Sequence, residues 1–287
     1  MKLIRLATIT ALSTTLLIGG SSAVFADEAR KVTTDGKIEF RPAGEEDGPL
    51  EVIPPETGPG APDVENAPEV PGTTGPLSIM KAATMNFGTQ IISNQDQTYN
   101  MVAEMQKLAN PVADGPTHVP YTSFAQVQDL RGSNDGWDLK LSLSAFESET
   151  LNKTLTGAEI ELVGSRIQYE GSTAANAPTA HAAGLKLIPN GAAQSVMTAE
   201  KNKGAGASSV VWGNQAELNA QFADPQKEVV ENNAIRLSIP GSTAKDATTY
   251  KSTLTWELTT TPGNQPPAGD DDKEEEKPGD TEQPAGV

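Results

Sequence analysis

Two stretches of this chain alternate apolar and polar residues too strictly to be helices. In GWDLKLSLSAF, Trp137, Leu139, Leu141, Leu143 and Ala145 alternate with Asp138, Lys140, Ser142 and Ser144. In YKSTLTWELTTTP, Tyr250, Leu254, Trp256 and Leu258 alternate with Lys251, Thr253, Thr255 and Glu257. Successive side chains of a strand point to opposite faces, so period two marks strands with one buried and one wet face. Only three Trp occur in the chain, and two of them open the same Trp-x-Leu frame in these two strands. Residues i and i+2 share a surface, so each frame sets an indole beside a leucine. The two strands are expected to lie near one another in a sheet, with their indoles in a shared cluster.

Further strands follow the same rule. AEIELV sets Ile160 and Leu162 against Glu159 and Glu161, GLKLIPNG pairs Leu185 with Leu187, and AIRLSIPG places Ile235, Leu237 and Ile239 on one side. SSVVWG is a short β-branched run. Gly, Asn, Pro and Asp punctuate them in RGSNDG, LTGA, IPNGA and IPGSTAKDA, where turns are expected. Helical spacing shows only in QTYNMVAEMQKLANP, while NQAELNAQFADP fits a helix and a strand equally. The expected fold is all-β, a sandwich or barrel with long decorated loops, over residues 77–262. A segment of that length is ample to bury a core.

The two flanks have a different composition. Residues 27–76 and 263–287 are rich in Pro, Gly and carboxylates and carry −8 and −6 of the net −17, which with +2 on residues 1–26 leaves −5 on residues 77–262. So little apolar surface cannot offset a backbone ordering cost of about 1–2 kcal/mol per residue, so both flanks are expected to be extended and disordered, a linker and a tail. The stretch PPETG at 54–58 lies one residue from the Leu-Pro-x-Thr-Gly sorting signal of covalent wall attachment. No apolar segment and basic end follow it, and it reads as a Pro-rich spacer.

Residues 1–26 have Lys2 and Arg5, then an apolar run from Leu6 to Ile18, then small residues up to Ala26. The run falls short of the roughly 20 apolar residues that span a bilayer and fits a secretory signal cleaved after Ala26. The rest of the sequence contains no stretch of membrane-spanning length. With no Cys, an exported chain of this kind must be held by its core without disulfides.

The chemistry of catalysis is poorly represented. His118 and His181 sit in separate Pro- and Ala-rich stretches with no second ligand at metal-binding spacing, and the absence of Cys excludes thiol catalysis. Glu159 and Glu161, two residues apart on one strand, read as the wet half of an alternation rather than a glycosidase pair. The tail DDDKEEEKPGD lacks EF-hand spacing and reads as a solvated extension. No enzyme activity, cofactor or metal site is expected. The sequence pI of about 4.5 opposes binding to nucleic acid phosphates.

Several stretches, in order, resemble the motifs of the WxL domain of surface proteins from low-GC Gram-positive bacteria. They are GPLSIMKAATMNFGTQIIS, FAQVQDLRGSNDGWDLKLSL, LTGAEIEL and AIRLSIPGSTAKDATTYKSTLTWELTTTP, which closes on Tyr250, Leu254, Thr255, Trp256, Leu258 and Pro262. The resemblance covers residues 77–262. It implies a secreted protein held noncovalently on peptidoglycan at the cell wall surface, with other WxL-locus surface proteins or the host extracellular matrix as further partners. The alternative is a subunit of a surface complex or adhesin whose main ligand is another protein.

Candidate glycan contacts follow from the residues. Trp137 with Leu139 and Trp256 with Leu258 offer indole faces for sugar stacking, against the plainer reading that a face shared with leucines is core. Trp212, at the end of SSVVWG beside Gly213, has more claim to exposure than the other two. Arg131, Asn134 and Asp135 in DLRGSNDG supply hydrogen-bonding groups, unless that stretch is simply a polar turn.

Overall fold

A computed structural model describes residues 35–42, 44, 51–65 and 68–260. The expected signal at 1–26, the tail at 263–287 and Pro262 lie outside the described residues. Two units divide the chain between Phe40 and Arg41. In the first, residues 35–40 are exposed and without regular structure. The second holds the strands and is described below.

In chain order these are β1 (Leu77–Lys81), β2 (Gln97–Val102), β3 (Glu104–Lys107), β4 (His118–Tyr121), β5 (Ser123–Asp129), β6 (Trp137–Leu143) and β7 (Glu159–Leu162). There follow β8 (Ser165–Tyr169), β9 (Thr179–Ala180), β10 (Leu185–Leu187), β11 (Gln194–Ala199), β12 (Gly206–Trp212), helix α1 (Gln215–Ala223), β13 (Glu231–Ile239) and β14 (Leu254–Thr260). The fold is all-β. Antiparallel sheets run β1-β5-β12-β8, β10-β7-β13-β2 and β14-β6-β11-β9, with β3 and β4 as a separate pair, and no closed barrel forms among the described residues.

The two Trp-x-Leu strands are direct neighbours. β14 pairs antiparallel with β6, Trp256 opposite Leu141, Leu258 opposite Leu139 and Thr260 opposite Trp137. In this register Trp137, Leu139, Leu141, Leu254, Trp256 and Leu258 face the same core. The indoles nevertheless do not form one pair. Trp256 lies 6.3 Å from Trp212 of β12, whereas the Trp137 Nε1–H donates to the Gly204 carbonyl at 3.1 Å. Gly204 has φ +72°, and a Cβ there would fall 2.5 Å from Ala199 Cβ and 2.8 Å from the Trp137 Nε1. Only glycine permits that approach.

The inner strands β5 and β12 of sheet β1-β5-β12-β8 are buried on both faces. Ala125, Val127, Val210 and Trp212 point into the main core. Phe124 and Val211, on the opposite face, form a second cluster with Met80 and Tyr121, covered by Val52 and Val64. The linker expected to be disordered is therefore corrected over 51–65, where it is a strap packed on this face. The Gln126 side chain grips Ile53, accepting its N–H at 2.9 Å and donating to its carbonyl at 2.7 Å. The Tyr121 hydroxyl accepts the Glu56 N–H at 3.1 Å, the Thr122 hydroxyl donates to the Glu56 carboxylate at 2.8 Å, and Arg166 pairs with that carboxylate. Val64 bridges to Leu108. Two valines and a set of satisfied polar groups order a stretch whose composition would leave it unstructured in isolation.

The helical spacing expected in QTYNMVAEMQKLANP is also overturned, since that stretch forms β2 and β3. β2 completes a sheet edge on β13, and β3 pairs with β4. Buried Glu104 and Gln106 alternate with exposed Met105 and Lys107, a polar-inside pattern that hides its strand period. Glu104 is inside because Lys81 pairs with it at 2.8 Å, the ammonium standing 4.4 Å from the Phe124 ring centre. Burial pushes the Glu104 carboxyl above its ordinary range, against the pull of Lys81. The ambiguous NQAELNAQFADP forms α1, capped by Asn214, whose side chain accepts the N–H groups of Ala216 and Glu217.

Candidate functional site

The structure seals two of the three tryptophans. Trp137, Leu139 and Trp212 have no exposed surface, so neither indole has a face open to a sugar ring. For Trp212 this reverses the expectation of greater exposure. β12 does end beside a loop, but the His181 ring meets the edge of the indole, 6.0 Å between ring centres, and Trp256 packs against it at 6.3 Å. The Trp212 Nε1–H donates to His181 Nε2 at 2.8 Å, and His181 Nδ1 lies 2.6 Å from the Ala182 carbonyl. This arrangement requires a neutral ring with its proton on Nδ1. Burial lowers the His181 pKa below its ordinary value, consistent with that state. Trp256 and Leu258, on the edge strand β14, are half-buried.

Residues 129–136 form a pinned turn. Asp129 holds the Arg131 guanidinium through two bonds, 2.9 Å to Nε and 2.7 Å to Nη2, and Nη2 also donates to the Gly136 carbonyl at 2.8 Å. Asn134 is exposed in the left-handed region at φ 57°, and its carbonyl accepts the Asn202 N–H at 2.8 Å. Asp135 is partly exposed. Arg131 is thus largely committed to holding the turn, while Asn134 and Asp135 face outward beside it. The turn stands at the Trp137 end of β6, where β14 finishes at Thr260.

Local patterns give little hint of one further concave feature. A cleft of about 1060 Å³ opens between residues 85–92 and 245–252. It is at the upper end of the sizes usual for small-ligand sites. Its floor is made by Leu143, Leu155, Ile160 and Leu237, each almost fully buried. Phe87, Tyr99, Phe146 and Tyr250 supply aromatic wall. The Lys245 ammonium ties the two sides together by donating to the carbonyls of Ser93, Pro240 and Thr243 at 3.2, 3.1 and 2.9 Å. The Tyr250 hydroxyl donates to the Asn152 carbonyl at 2.8 Å and accepts the Asp246 N–H at 3.0 Å. The Asp246 carboxylate accepts both the backbone and side-chain N–H of Asn152, which holds its pKa below the usual range. The consecutive Ile91 and Ile92 in a polar stretch were the sequence signal for this feature.

Among the described residues no group of His, Asp or Glu is placed to hold a metal ion, and no helix is long and apolar enough to cross a membrane. Glu159 is paired with Lys186 at 2.6 Å rather than with Glu161. Antiparallel sheets presenting an apolar cleft, an edge strand and a polar turn define a β-rich binding domain. A family model described as WxL domain, surface cell wall-binding, matches residues 27–262, and the chain belongs to that family. Its place is accordingly the cell surface. The match also takes in the strap at 51–65. Neither the curated proteins nor the solved structures contain a match to the chain.

Proposed function

We propose that this protein is exported through its N-terminal signal and held noncovalently on the peptidoglycan of a Gram-positive cell wall, acting by binding and not by catalysis. The observation that carries the reading is the match of a surface cell wall-binding family over residues 27–262. The signal-like layout of residues 1–26 supports export. With Trp137 and Trp212 sealed, glycan contact falls to the half-buried Trp256 and Leu258 and to the turn carrying Arg131, Asn134 and Asp135. They offer an indole edge for stacking and amide and carboxylate groups for hydroxyl and acetamido hydrogen bonds. The net charge of −17 repels anionic wall polymers, so attachment rests on specific contacts.

The test is co-sedimentation of residues 27–287 with sacculi stripped of protein and teichoic acid. Saturable pelleting that weakens in Asn134→Ala and Trp256→Ala variants, with melting temperatures recorded alongside, is the expected result. A folded protein that stays in the supernatant refutes direct peptidoglycan binding.

A further inference from the structure

The cleft between residues 85–92 and 245–252 has a chemistry that does not suit a sugar. Its floor of Leu143, Leu155, Ile160 and Leu237 carries no side-chain donor or acceptor, so a pyranose driven to that depth would leave hydroxyls unpaired. One wall, residues 89–92, is exposed and outside any strand, and its backbone N–H and C=O groups make no hydrogen bond with the described residues. Ile91 and Ile92 on this wall are 91% and 54% exposed. The wall is held at both ends, since the Asn86 carbonyl accepts the Val102 N–H of β2 at 2.7 Å and Lys245 binds the Ser93 carbonyl. A fixed backbone with unused hydrogen-bonding groups beside an apolar trough fits an added strand, and an acyl chain would leave those groups unused.

The charge of the mouth points the same way. Lys251 and Lys245 line the cleft, and neither forms an ion pair with the described residues. Asp246, the acidic residue in the lining, is engaged by Asn152. In a chain with 38 acidic and 21 basic residues, this is a local excess of positive charge.

We propose that the cleft takes an extended segment of a partner protein, which pairs along residues 89–92, drops alternate apolar side chains onto the Leu143–Ile160 floor and sets a carboxylate against Lys251. The inference goes beyond wall binding, because it uses a different surface and a different class of ligand. Either could fail while the other stands.

The experiment selects a phage-displayed library of random seven-residue peptides against residues 27–287, then measures the affinity of the enriched peptides by fluorescence polarisation. Sequences with apolar residues at alternate positions and an acidic flank are expected. Ile91→Pro, which removes one N–H from the wall, and Lys251→Glu, an exposed charge reversal, are each expected to weaken them about tenfold or more without lowering the melting temperature. Sacculus sedimentation should be unchanged in both variants. Failure to enrich any sequence overturns the proposal, as does enrichment of peptides insensitive to both variants. Saturable uptake of cis-parinaric acid that is blocked by Thr249→Trp would instead assign the cleft to an acyl chain, and the same result with chitooligosaccharide would assign it to a glycan.

Discussion

Trp137→Ala separates a structural indole from a sugar-binding one. Trp137 is fully buried in the central strand of its sheet, between Ala199 of β11 and Thr260 of β14, and its N–H is satisfied by Gly204. Truncating a buried Trp to Ala costs about 3–5 kcal/mol through lost transfer energy and the residual cavity. The orphaned Gly204 carbonyl pushes the cost toward the upper end of that range. A domain of this size is stable by about 5–15 kcal/mol and loses about 2–4 °C of melting temperature per kcal/mol, so a fall of about 8–20 °C is expected. Trp137→Phe keeps most of the packing and should cost only about 1–3 kcal/mol. Trp256→Ala, at a half-buried edge position, should cost roughly half as much as Trp137→Ala. The assay is thermal unfolding followed by near-ultraviolet circular dichroism, with sacculus sedimentation measured below each variant's transition. If Trp137→Ala melts within about 2 °C of the parent yet no longer pellets, the indole acts on the ligand and the core assignment is wrong.

Two further outcomes follow from the packing. The depressed pKa of His181 means that the unfolded chain binds more protons between the folded pKa and the ordinary value of 6.5, so stability is complete above 6.5 and is lost as pH falls through the folded pKa. The slope in that window is at most about 1.4 kcal/mol per pH unit, reduced by solvent at the half-exposed ring, and His181→Gln should flatten it in urea titrations at stepped pH. A slope that persists in the variant would assign it to other groups. In the strap, Val64→Ala removes two buried methyl-sized groups over the Met80, Phe124 and Val211 cluster and should cost about 1.5–2.5 kcal/mol. A destabilisation below about 0.5 kcal/mol would mean that the strap does not seal that face.

Legibility differed from element to element. The strands β6 and β14 could be read directly, because each has one buried face and a wet face that keeps the period visible. β3 could not, because its inward residues are Glu104 and Gln106, made tolerable by Lys81 from a strand more than twenty positions earlier. SSVVWG carried a usable signal. A run apolar at consecutive positions marks a strand buried on both faces, and such a strand requires a cover. The cover lies in a Pro-rich segment whose composition suggests disorder, and only the contacts of Val52, Val64 and Glu56 show otherwise. The candidate site divided similarly. The turn at 129–136 was visible as Gly, Ser, Asn and Asp, but the commitment of Arg131 to Asp129 was not. The cleft joins segments more than 150 positions apart, and beyond the paired Ile91 and Ile92 no local pattern marks it.

By itself, the order of residues determined the strand period, the face of each strand that is apolar, the turns between strands and the motifs that place the chain among surface proteins. Local alternation encodes the direction of a side chain relative to its own strand, which is a property of neighbouring residues. Only the tertiary structure decided what lies beyond each face. It put His181 and Trp256 against Trp212, the strap over Phe124 and Val211, and left Ile91 and Ile92 exposed among the described residues. Exposure depends on the packing of residues distant in sequence, so whether an indole is core or contact surface follows from the assembled sheets.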